Sequence, residues 1–96
     1  MQVQASTILS FVSGRLYSTT PPTELFGDML SEATGEKNIV THQLPELKSK
    51  FADKILAQCP AEFQKICKNW EHTEDWQKRV DLVDENFGTI PIYYCG

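Results

Sequence analysis

No apolar run in this chain approaches the ~18 residues that cross a bilayer. The longest are fragments such as Ile8-Leu9 and Ile92-Tyr93-Tyr94, so membrane insertion is set aside. The P-loop, the G-x-G-x-x-G turn, H-E-x-x-H and G-x-S-x-G are all absent, which leaves the usual phosphate, dinucleotide, zinc-protease and hydrolase readings without support. Cysteine is scarce and odd in number. Seven residues separate Cys59 from Cys67, and His72 follows four further on, a poor match to the close ligand pairs of a zinc site. No metal and no cofactor is expected. Basic residues are missing altogether between Tyr17 and Glu36.

The start of the chain has neither the basic residues nor the apolar segment of a secretory signal, and a reducing bacterial cytoplasm is the expected location. The 96 residues suffice for one modest core, so a single domain over residues 1–96 is expected. With 41% hydrophobic and 23% charged residues the composition is that of a folded protein. A net charge of −4 argues against direct nucleic-acid binding, which needs a clustered basic surface. The charge is also unevenly spread: residues 18–36 carry four acids and no base, whereas Lys48, Lys50, Lys54, Lys65 and Lys68 face only Asp53 and Glu62 between residues 48 and 68. That lysine-rich stretch reads as a solvated face whose side-chain stems cover apolar surface.

The pattern is mainly α: a compact bundle of about four to five short helices with a minor β element at residues 38–42 and 89–94. Ile8, Phe11, Val12 and Leu16 fall at helical spacing behind Ser6 or Thr7 as N-cap, and Gly14 interrupts the run. A second helix spans Thr23 to Thr34, with Leu25, Phe26, Met29, Leu30 and Ala33 buried and Gly35 as the αL cap. Pro45 opens a third helix and Pro60 ends it; a fourth from Ala61 groups Phe63, Ile66, Cys67 and Trp70. The last helix begins near Thr73 and carries Trp76, Val80, Val83 and Phe87 on one stripe, closed by Gly88. The tail from Thr89 to Tyr94 is extended, with Pro91 confining it to an edge; its partner is either Ile39-Val40-Thr41 or Gln2-Val3-Gln4.

The second helix repeats a carboxylate every four residues, Glu24, Asp28 and Glu32, and Glu36 follows just past its end. This spacing puts the side chains on one face about 6 Å apart along the axis, where each like-charge pair weakens the helix by roughly 0.2–0.5 kcal/mol. Such a stripe is either a solvated outer face or a contact face for a partner. Of the two histidines, His42 lies in Thr41-His42-Gln43-Leu44-Pro45 at a helix entrance, where Thr41, His42 or Gln43 can satisfy free N–H groups; an active-site base is the alternative. The tryptophans flanking Glu71-His72-Thr73 read as core, with an interface role as the alternative.

Ile8-Leu9-Ser10, Gly14-Arg15-Leu16, Gly35, Thr41-His42-Gln43-Leu44-Pro45 and Cys59-Pro60 together resemble a family of small uncharacterised proteins of tailed bacteriophages and prophages. Its pattern is a helix ending in G-R-L, a helix ending in T-G, then T-H-Q-L-P; here Glu46 stands where the family has a basic residue. The resemblance implies an origin and no activity. Small phage proteins outside the virion often block host proteins, including defence complexes with basic nucleic-acid channels, and an acidic helix suits that role. The expectation is therefore a non-enzymatic module that binds a host protein or nucleoprotein complex with a basic surface, an anti-CRISPR-like inhibitor in its sharpest form. The alternatives are a structural protein forming a homo-oligomer and a small enzyme centred on His42.

Overall fold

Helix α1 (Ala5–Ser13) is buried on most of its circumference although four of its nine residues are Ser or Thr, and the fold is built to enclose it. Ala5, Ile8 and Leu9 are fully buried, and Thr7, Ser10 and Phe11 are buried beside them. A helix of nine residues is marginal in water by itself, so its stability derives from packing. In the computed structural model, which describes all 96 residues, α1 contacts α2 (Pro22–Thr34), α3 (Leu44–Leu56), α4 (Ala61–Lys68) and α5 (Trp76–Phe87). Phe11 meets Phe26 of α2 edge-on at 5.4 Å, and Phe63 of α4 meets Phe87 of α5 at 5.3 Å.

The β element is a two-stranded antiparallel ribbon, β1 (Gln2–Gln4) against β2 (Thr89–Pro91), with Val3 opposite Ile90. Both central residues face the core and their neighbours face outward, the period-2 pattern of a half-buried ribbon. Met1 and Ile92 extend it by reciprocal N-to-O bonds of 2.7 and 2.8 Å. Of the two partners open to the tail, it therefore takes the N-terminal one. Residues 38–42 form no strand, which corrects that half of the expected β element. Asn38 turns the chain at φ 58°, Val40 is exposed, and Thr41–Gln43 form one 3₁₀ turn leading into α3.

Glycine caps end the first two helices as their sequence positions indicate. Gly14 and Gly35 both adopt φ 76° and donate their N–H to Ser10 and Ser31 at 3.1 and 2.9 Å, closing α1 and α2. The beginning of α1 departs from expectation. Neither Ser6 nor Thr7 caps it; Asp84 of α5 does, accepting from the Ser6 N–H at 2.8 Å and from Gln4 Nε2 at 2.9 Å. Gly88 O accepts from the Ala5 N–H at 2.9 Å. Helix α5 also starts later than its pattern suggests, because Thr73 bonds the Asp75 carboxylate and its carbonyl receives the Trp76 N–H, holding residues 73–75 in a turn.

Asp84→Ala removes an N-cap acceptor and leaves the Gln4 amide without its partner. A loss of about 1–2 kcal/mol is expected in urea denaturation, while exposed Glu85→Ala stays within about 0.5 kcal/mol of the parent.

Candidate functional site

Pro22 at the first turn and Gly35 past the end set the length of α2, and Phe26, Met29, Leu30 and Ala33 turn one side of it inward. Glu24, Asp28 and Glu32 are consequently all exposed on its outer side. Glu24 lies in the first turn, where the helix dipole favours it. No Lys or Arg nitrogen pairs with any of the four acids. The ion pairs of the protein are Lys50–Glu46 at 2.9 Å and the Met1 ammonium with Glu32 at 3.9 Å. Asp28, Glu32 and Glu36 line one open groove of about 630 Å³ with Met1, Lys37 and Tyr94; Glu24 stands apart from it.

Tyr94 is the member that sequence reasoning missed. The tail carries it there: Tyr93 N–H and O bond the Gln58 side-chain amide at 2.8 and 3.1 Å, and the Cys95 and Gly96 N–H groups donate to Ala33 O at 2.9 and 3.1 Å. Tyr94 then lies across Gly35, its Cε2 3.3 Å from the position a Cβ would take, yet it remains 66% exposed. An exposed tyrosine beside carboxylates without a Lys or Arg partner offers a lysine or arginine both ion pairs and an aromatic surface.

Thr41 and His42 are exposed, and neither side chain makes a hydrogen bond within the chain. Gln43 takes the capping role, its Oε1 accepting from the Val40 N–H at 2.9 Å. Glu46 pairs with Lys50 one turn on, which lowers the Glu46 carboxyl and raises the Lys50 ammonium from their ordinary values.

Trp70 and Trp76 are half-buried and converge on Tyr17. Trp70 Nε1–H donates to the Tyr17 hydroxyl at 2.8 Å, and that hydroxyl lies 3.2 Å from His72 Nδ1. Arg79 covers Trp70 at 4.5 Å and donates to Glu71 O and the Thr73 hydroxyl, tying the 69–75 turn to α5. The three cysteines are free. Burial pushes the Cys59 thiol up to about 11 and the Cys67 thiol up to about 12, Cys59 adding to the latter.

Fold and site together define a small mainly α-helical domain that presents an acidic, tyrosine-flanked face. The family model described as a domain of unknown function (DUF7736) matches residues 4–61, and the chain belongs to that family. No curated protein and no solved structure matches the chain.

Tyr17→Phe strands the Trp70 N–H and should cost about 1–2 kcal/mol in chemical denaturation. For the thiols, the unfolded chain releases its protons from about pH 8.5 while the folded chain retains them. Their stabilising contribution is thus complete below that range and falls as pH rises toward about 11. Stability measured across this interval should decline less steeply in Cys59→Ala/Cys67→Ala than in the parent; equal slopes would remove the thiols as the cause.

Proposed function

We propose that this protein is a phage-encoded, non-enzymatic binding module that inhibits or redirects a host protein in the bacterial cytoplasm, with Glu24, Asp28, Glu32 and Glu36 contacting a basic surface of that target. In its sharpest form the target is a nucleic-acid-handling defence complex of the CRISPR kind, whose phosphate-binding lysines and arginines the carboxylates occupy. The observation that carries this reading is the exposure of all four acids without a Lys or Arg partner. A helix that keeps like charges at four-residue spacing gives up local stability, which a contact role explains. The likeness of the G-R-L, T-G and T-H-Q-L-P segments to phage proteins supplies the origin. Direct nucleic-acid binding has no place in this reading, since the face has the charge of the nucleic acid itself.

A second reading, assembly into a homo-oligomer, draws on Tyr93 and Tyr94, which are 62% and 66% exposed on adjacent positions. Light scattering separates the two, because assembly requires a stable oligomer and inhibition does not.

Affinity capture from bacterial lysate, comparing the parent with Glu24→Lys/Asp28→Lys/Glu32→Lys of verified fold, tests the acidic face. The parent should retain a host complex that the variant releases. Retention should also fall steeply above ~0.15 M salt, where the Debye length is about 8 Å. Capture that survives both charge reversal and salt would move the contact to the aromatic surface.

A further inference from the structure

A second groove lies away from the α2 acids, between the C-terminal end of α1, the connection to α2 and the start of α3. Its volume is about 310 Å³. Leu16, 44% exposed, with Leu44, Pro22 and Pro45 supplies its accessible apolar surface, over a floor formed by the buried Phe11 and Phe26. The charged residues lining it are Arg15 and Lys48; no carboxylate does so. Neither cation is in an ion pair, although Lys50, two residues further along α3, has found Glu46. The Lys48 ammonium already serves one purpose, because it lies over Gly14 at the end of α1, where the helix dipole favours a cation and the helix supplies no basic residue of its own. Arg15 has no such use.

We propose that this groove seats an extended segment of a partner protein in which one bulky apolar side chain is flanked by Asp or Glu. The apolar side chain packs on Leu16 and Leu44, above the buried rings of Phe11 and Phe26, releasing water from apolar surface. The flanking carboxylates meet Arg15 and Lys48, with arginine able to bind one through two parallel N–H bonds. Charge complementarity sets the sign of the partner, and the volume sets its size: about 310 Å³ is at the lower limit of ligand pockets, room for a side chain and not for a helix face. This surface is independent of the acidic face, and its partner has the opposite charge.

Selection from a random linear peptide library displayed against the parent protein, with counter-selection against Arg15→Glu/Leu16→Ser, tests the assignment. Both substituted side chains are exposed, so the variant should keep the parent's thermal midpoint. The expected result is enrichment of peptides with an apolar residue next to Asp or Glu, each binding about tenfold more weakly to the variant. Lys48→Gln should weaken the same peptides by a smaller factor. Enrichment of basic or purely apolar peptides, equal binding to parent and variant, or no enrichment over the counter-selected pool overturns the proposal. Self-association of the parent that Arg15→Glu abolishes also overturns it, by making a second copy the occupant.

Discussion

The burial of α1 is the constraint on which the other elements depend. Nine residues cannot sustain a helix in water, and this one is buried on most of its circumference, Thr7 and Ser10 as well as Ile8, Leu9 and Phe11. Full burial of a side chain such as Ile8, Leu9 or Phe11 contributes about 1.5–3 kcal/mol, so enclosing α1 is among the largest favourable terms available to the chain. Four helices supply the enclosure. Burial then makes the ends of α1 expensive to leave bare, and residues outside the helix close them: distant Asp84 and Gly88 at the start, adjacent Gly14 and the Lys48 ammonium at the end.

Closing α1 also places the acidic face. Asp84 and Gly88 hold the end of α5 against Gln4, Ala5 and Ser6, which sets β2 antiparallel to β1. The tail continues in that direction until its N–H groups reach Ala33 O at the end of α2. Tyr94 arrives beside Asp28, Glu32 and Glu36 as a result, and Met1, paired to Ile92, comes close enough for its ammonium to approach Glu32. The family match over residues 4–61 takes in α1, α2 and α3 and therefore the acids, while Asp84, β2 and Tyr94 lie beyond it. The acids and the aromatic residue that flanks them thus come from different parts of the chain.

Features governed by local chemistry were legible in the sequence. Pro22, Pro45 and Pro60 mark helix starts and ends, Gly14 ends α1 where it interrupts the pattern, Gly35 occupies the αL position expected of it, and Val80 and Val83 are buried as the stripe on α5 requires. The exposure of Glu24, Asp28 and Glu32 also follows from spacing alone. What was not legible depends on partners far away in sequence. The cap of α1 comes from a residue 78 positions distant, and nothing local distinguishes Asp84 from the other acids of α5. Ile39-Val40-Thr41 has strand propensity, but the tail bonds to β1 and Gln43 takes the Val40 N–H, leaving no ladder to join. Trp70 and Trp76 read as core, and in the structure they are half-buried around Tyr17, because a hydrogen bond from Trp70 needs a polar partner near the surface.

The lopsided charge of the sequence becomes a division of labour in three dimensions. The lysines of residues 48–68 do not act as one basic patch: Lys50 pairs with Glu46, Lys54 lies 5.3 Å from the Phe51 ring centre, and Lys48 covers the end of α1. Local partners thus use much of the positive charge, and the α2 carboxylates keep theirs uncompensated except for the approach of the Met1 ammonium. Exposed charge of this kind mainly governs the rate and orientation of encounter, while tight binding requires apolar or aromatic surface that is desolvated on contact. Each charged surface here has such a companion. Tyr94 borders the acids, and Leu16 and Leu44 line the same groove as Arg15 and Lys48. The two surfaces therefore have the same construction with opposite sign, and a partner complementary to one is repelled by the other.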